Sequence, residues 1–214
     1  MTACHHTLGD IGLIETEAVA ARIDHVVAAG DPGGQPAHRG TIDRDDSGLS
    51  HAGPSAMDIR EDDLTRAQTL DLLRIHLAGM HANSPPGHVF ALELSGLKHP
   101  DITVWSLWDG DTVCGIGALR QLDACVGEVK SMRTHPDHLR RGVGRRLLDH
   151  IIAEARRRGL RRLSLETGSG EAFQPALRLY RQRGFVNGAA FDDYVASDFN
   201  QFLHLDIAPS PQTR

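Results

Sequence analysis

No run in this chain of 214 residues approaches the roughly 20 consecutive apolar residues that a membrane-spanning helix needs. The N-terminal stretch MTACHHTLGDIGLIETE has no basic segment followed by an apolar one, so a secretory signal is not expected and a cytoplasmic location is. Cysteine is scarce. Cys4, Cys114 and Cys125 have no tight spacing, which argues against a disulfide framework and predicts reduced thiols. Aromatic residues make up only 5% of the chain, and none is interleaved with its arginine clusters in the way a nucleic-acid surface requires. Histidine is plentiful, but the one compact group, Cys4-His5-His6, lacks a third nearby ligand, so no metal is expected.

Core-forming residues are almost missing from DPGGQPAHRGTIDRDDSGLSHAGPS, a stretch rich in Gly, Pro, Asp and Ser. The expected organisation is a flexible N-terminal extension over 1–55, with one short helix across Leu13 to Ala29. A globular domain over 56–208 and a tail at 209–214 follow. The formal charge of −5 hides an asymmetry. Residues 1–63 carry 12 Asp and Glu against 4 Arg, whereas residues 133–162 carry 10 Arg against Asp137, Asp149 and Glu154. A local basic patch in an acidic protein points to a discrete anionic ligand.

From about Met57 the elements alternate. Leu70, Leu73, Leu77 and Met80 recur at helical spacing within Leu64 to Met80, and Phe90 to Leu97 reads as a second short helix. Thr103 to Trp108 and Thr112 to Leu122 are strand-like and separated by Asp109-Gly110-Asp111, a hairpin signal; Val126 to Thr134 is a third strand. Gly142 to Arg158 is a helix with an apolar stripe of Val143, Leu147, Leu148, Ile151, Ile152 and Ala155, stopped by Gly159. Arg162 to Glu166 is a strand, Glu171 to Arg183 a helix, and Phe185 to Phe191 and Gln201 to Ile207 are the last strands. The fold class is α/β with a mixed sheet.

Function is concentrated in HPDHLRRGVGRRLL, between His135 and Leu148. A glycine-spaced turn that opens into a helix presents free backbone N–H groups and the positive end of the helix dipole, a seat for phosphate. A nucleoside-triphosphate loop would need Lys-Ser/Thr after its last glycine, where this chain has Arg145-Arg146. A dinucleotide fold would need a third glycine where Leu147 stands, and a first glycine close to the end of its strand. Here His135 to Arg141 intervene, although Glu166 ends the next strand roughly where a ribose-binding acid would sit.

The segment GEVKSMRTHPDHLRRGVGRRLLDHIIAEARRRGLRRLSLETG, followed by ALRLYRQRGF, resembles the GNAT superfamily of N-acetyltransferases. The resemblance runs from about Met57 to Ile207. It implies a mixed, splayed sheet flanked by helices with acetyl-CoA in the splay. The CoA diphosphate would sit at Arg140, Arg141, Gly142, Val143, Gly144 and Arg145. The pantetheine arm would pair like an extra strand with the backbone of Met132, Arg133 and Thr134. Two positions depart from the family pattern: Leu139 replaces a common Gln or Arg, and Phe173 replaces a common Asn.

Acetyl transfer to an amine poses two proton problems. The ammonium must lose a proton before it attacks, and the CoA thiolate should leave protonated. Tyr180 matches the family's general acid; from the residues alone it also reads as a core tyrosine on the stripe of Phe173, Ala176 and Leu177. Glu128 matches the glutamate base of the family's histone-acetylating branch. Strand alternation puts it on one face with Lys130 and Met132, so it reads equally as an ion-pair partner, with a water carrying the proton. A backbone N–H near Met132 would meet the oxyanion. Cys125 has no neighbour to activate it as a nucleophile. By the family's layout, His76, His81 and His88 would border the acceptor, as would Asp192, Asp193 and Tyr194. The expectation is direct transfer from acetyl-CoA to a primary amine of a small metabolite. A protein or peptide amine is the second acceptor class, and a non-catalytic acyl-CoA-binding or regulatory module is the competing function. No nucleic-acid or membrane partner is expected, and a homodimer is left open.

Overall fold

The computed structural model describes residues 57–207. The chain divides into two units, Met1–Ala52 and Gly53–Arg214. The first unit, with the helix expected over Leu13 to Ala29, lies outside the described residues.

Seven strands form one sheet in the order β1-β2-β3-β4-β5-β7-β6. They are β1 (Asp58–Glu61), β2 (Ile102–Asp109), β3 (Thr112–Gln121), β4 (Val126–Thr134), β5 (Arg162–Gly168), β6 (Val186–Asn187) and β7 (Asn200–Asp206). The helices are α1 (Ala67–Asn83), α2 (Leu94–Leu97), α3 (Val143–Arg157) and α4 (Gln174–Gln182). Only β4 and β5 run parallel. Among the described residues, no helix is long and apolar enough to cross a membrane.

The six residues of the α3 stripe are all buried, against Trp105, Leu107, Leu119 and Val129 of β2–β4. Close approach is possible because β3 carries glycines there. A Cβ built on Gly115 would lie 2.5 Å from a Val143 methyl, and one on Gly117 would lie 2.6 Å from the Met132 sulfur. The opposite face, with Ile116 and Ala118 of β3, packs on Leu72 and Leu73 of α1.

Three expectations need correcting. α1 begins at Ala67 and not at Leu64, because the buried Asp62 accepts from the Leu64 N–H at 2.9 Å, the Thr69 hydroxyl at 2.9 Å and the Ser106 hydroxyl at 2.6 Å. These bonds hold the chain ahead of the helix in a turn with Leu64 at φ 60°. The expected helix over Phe90 to Leu97 shrinks to Leu94–Leu97. The expected strand over Phe185 to Phe191 shrinks to Val186–Asn187, because the chain then turns over the sheet. Phe191 packs on Phe202, and Tyr194 bonds to Glu128 on β4. β1, with one apolar residue in four, pairs antiparallel along β2.

The feature that creates the site is a split in the sheet. β4 and β5 pair only over Val126–Glu128 with Arg162–Ser164. Beyond this both strands continue without pairing to each other, so facing N–H and C=O groups are left open. The split coincides with a bulge: β4 gains one residue against β3 between the Ile116–Arg133 and Ala118–Lys130 pairs, and Ser131 sits at φ 52°. The bulge also breaks the alternation read from sequence. Glu128 and Lys130 share one face as expected, the one toward α1, but Met132 is turned to the α3 side, over Gly117.

Candidate active site

Two cavities occupy the opening between β4 and β5. One, of about 410 Å³, starts at Gly144 at the head of α3, follows Thr134, Arg133 and Met132, and reaches Tyr180 of α4. The other, of about 160 Å³, continues from there between Glu128 and Lys130 of β4, Glu166 of β5, and His76 and Gly79 of α1. Met132, Arg133, Ala172, Ala176 and Tyr180 line both, so a long ligand laid in the first presents its tip in the second.

The head of α3 leaves backbone donors open. Gly142 is its N-cap at φ 79° and brings no capping side chain. The first satisfied helical donor is Arg146, whose N–H reaches the Gly142 carbonyl at 3.0 Å. The N–H groups of Val143, Gly144 and Arg145 therefore have no acceptor within the helix. The arginines divide by role. Arg141 is tied to Asp109 at 2.7 Å and to His138 at 2.6 Å, which anchors the turn to the end of β2. Arg145 lies 3.6 Å from Asp149. Arg140 and Arg146 are exposed and have no ionic partner among the described residues. Leu139 is also exposed, at the rim of the larger cavity. Phe173 is buried edge-on against Phe199.

In the smaller cavity the charges are arranged unevenly. Glu128 is 1% exposed. Its Oε1 accepts from Lys130 Nζ at 2.8 Å and from the Tyr194 hydroxyl at 2.5 Å, and Lys130 also donates to Tyr194 at 2.6 Å. Its Oε2 is buried with no hydrogen bond, with Arg120 at 3.7 Å. Across the split, burial raises the Glu166 carboxyl to a pKa of about 7; Lys130 opposes the rise and Glu128 adds to it. Burial and the Glu166 carboxylate push the Tyr180 phenol upward, so it stays protonated at neutral pH. A carboxyl that titrates near neutrality beside a protonated phenol has the chemistry for a base and an acid in one pocket.

Glu166 is the residue that the sequence reading missed in this role. Its signal was a single acid in the otherwise buried run LSLETG, on the opposite face from Leu163 and Leu165. Of the three histidines expected near the acceptor, only His76 lines the cavity; His88 stacks on Phe90 and Phe199 instead. Asp192, Asp193 and Tyr194 line a third cavity of about 350 Å³ on the far side of Lys130. Among the described residues no cysteine lines any of the three, and Cys114 is a free thiol. Among the described residues no cluster of His, Cys, Asp or Glu is placed to hold a metal.

Residues 69–185 match the model of the Acetyltransferase (GNAT) family. The chain is 51% identical over 147 residues to the uncharacterized N-acetyltransferase YsnE of Bacillus subtilis (strain 168), covering 69% of this chain and 97% of that protein. It is 44% identical over 149 residues to the uncharacterized N-acetyltransferase YedL of Escherichia coli (strain K12), covering 70% and 94%. The fold is shared with a GNAT family acetyltransferase from Elizabethkingia anophelis with acetyl-CoA bound, at a TM-score of 0.54, 16% identity, and coverage of 71% of this chain and 98% of that one. On the family match over more than half of the chain and on these relatives, the chain belongs to the GNAT family of acetyltransferases.

Proposed function

We propose that the protein transfers the acetyl group of acetyl-CoA to a primary amine of a small metabolite, by direct attack within a ternary complex in the cytoplasm. The observation that carries this reading is the pairing of Glu166, poised near pH 7, with protonated Tyr180 at the junction of the two cavities. The larger cavity suits the pantetheine arm along Met132, Arg133 and Thr134. The diphosphate would rest on the N–H groups of Val143, Gly144 and Arg145, with Arg140 facing it from the turn. Arg141 contributes by fixing the turn.

In this reading Glu166 takes a proton from the acceptor ammonium, directly or through one water. The neutral amine attacks the thioester carbon, and a backbone N–H near the Ser131 bulge meets the oxyanion. The C–S bond then breaks, the Tyr180 phenol gives its proton to the departing thiolate, and the surplus proton on the new amide nitrogen returns to the phenolate, directly or through water. Glu128 holds Lys130 and Tyr194 in place, and its charge helps keep the Glu166 proton affinity high. Glu128 is the alternative base, through Oε2. Direct attack is favoured because, among the described residues, no cysteine lines the cavities. The small volume of about 160 Å³ favours a small acceptor over a folded protein surface.

An amine panel with acetyl-CoA and a free-thiol readout tests this. Thiol release that depends on the amine is expected. Tight CoA binding without thiol release from any amine would instead establish a non-catalytic acyl-CoA module.

A further inference from the structure

Two cations, Lys130 and Arg133, line the smaller cavity and a third, Arg120, lies behind Lys130; the first and third are answered. Lys130 is paired with Glu128, and Arg120 lies 2.9 Å from Asp192. Arg133 is different. Among the described residues it has no hydrogen bond or ion pair, and its Nε is buried without a partner. Its side chain crosses to α1, where a Cβ built on Gly79 would lie 3.2 Å from Nη1; the missing side chain leaves the guanidinium its space. Beside it stands His76, 7% exposed, which lines the same cavity and makes no hydrogen bond among the described residues. Burial, with Arg133 adding to it, lowers His76 to a pKa of about 4, so the ring is neutral and keeps one N–H to donate. The buried Arg133 Nε and a neutral imidazole without an acceptor among the described residues leave donors in the pocket that a ligand's acceptor would satisfy.

We propose that Arg133 and His76 form the seat for a carboxylate on the acceptor, which is therefore an amino acid or a close analogue carrying both an amine and a carboxylate. This rests on the acetyl-transfer reading above. The planar fork of arginine matches the two oxygens of a carboxylate, and the imidazole N–H adds a third donor from α1. The seat and Glu166 line the same cavity, so an amino acid held there by its carboxylate has its amine within the pocket that holds the base. The Arg133 backbone pairs with pantetheine in this arrangement, which leaves the side chain for the acceptor.

The test is calorimetric titration of the CoA-saturated protein, a complex that cannot turn over. The probes are the twenty proteinogenic amino acids, their carboxamides, and the amines left when the carboxylate is removed. At least one amino acid should bind on the order of 30-fold more tightly than its amide and its amine, the margin expected for a bidentate charged contact. Arg133→Gln should abolish that margin, and Arg133→Lys, which keeps the charge but loses the fork, should leave only part of it. Thermal melts of both variants report that they fold, and each variant is titrated with the probes at its own saturating CoA concentration. The inference is overturned if no amino acid binds, if amide and acid bind alike, or if Arg133→Gln retains the preference. In each of those cases the amine panel with thiol readout still decides separately whether the protein acetylates amines.

Discussion

Replacing Tyr180 by Phe is expected to lower kcat by about 10²-fold or more, the usual worth of a positioned general acid, while CoA affinity stays the same. The ring packs against Phe185 at 5.9 Å and belongs to the core beneath the sheet, so the variant keeps its packing and loses only the hydroxyl. Steady-state kinetics beside a CoA titration separates the two effects. Unchanged turnover would remove Tyr180 from the chemistry and leave it a core tyrosine.

Glu166→Gln is expected to lower kcat/KM by about 10²-fold or more and to erase its rise with pH. With a carboxyl titrating at about 7, activity should climb as pH rises through that value and level off above it, because only the ionised form accepts a proton. Stability should move in the opposite direction. The folded state holds this proton more tightly than the unfolded chain does, so between pH 4.5 and about 7 wild-type stability falls as pH rises. A raised pKa of this size corresponds to a loss on the order of 3 kcal/mol, complete above pH 7. The Gln variant lacks that loss. It should therefore melt higher than wild type at pH 8 and close to it at pH 4.5. Glu128→Gln is the control: it removes a charge that raises the Glu166 pKa, so it should keep the rising limb but displace it to lower pH. If Glu128→Gln erased the limb and Glu166→Gln kept it, the base would be Glu128.

Much of the fold was legible because burial imposes a period. The α3 stripe runs over four turns with charges on its other face, and β4 is bounded by Val126 and by His135-Pro136, so both elements occur within one residue of expectation. β1 was not legible, since DIRE carries one apolar residue and is held by the edge of β2 and not by its own pattern. The start of α1 was displaced by the bonds gathered on Asp62, which join residues up to 44 apart. The loop after Val186 reads as strand because of its aromatics, yet Phe191 and Tyr194 are there to cover the site.

The site was legible in part for the same reasons. The Gly142–Gly144 turn is contiguous, so its spacing carried the inference. The Ser131 bulge has no composition signal, and without it Met132 is assigned to the wrong face. The poise of Glu166 comes from burial across a split in the sheet, with Lys130 and Glu128 opposite, and none of these neighbours is close in sequence.

The central claim is that the turn at the head of α3 grips the diphosphate of coenzyme A and so lays its thioester between β4 and β5. Calorimetric titration of the purified protein with CoA, and in parallel with pantetheine, tests it most directly. The account predicts saturable binding of CoA at one site per chain. Binding of pantetheine should be weaker on the order of 100-fold, because it lacks the charged groups that the free N–H donors and arginines meet. No heat with CoA, or equal affinity for the two, would contradict it.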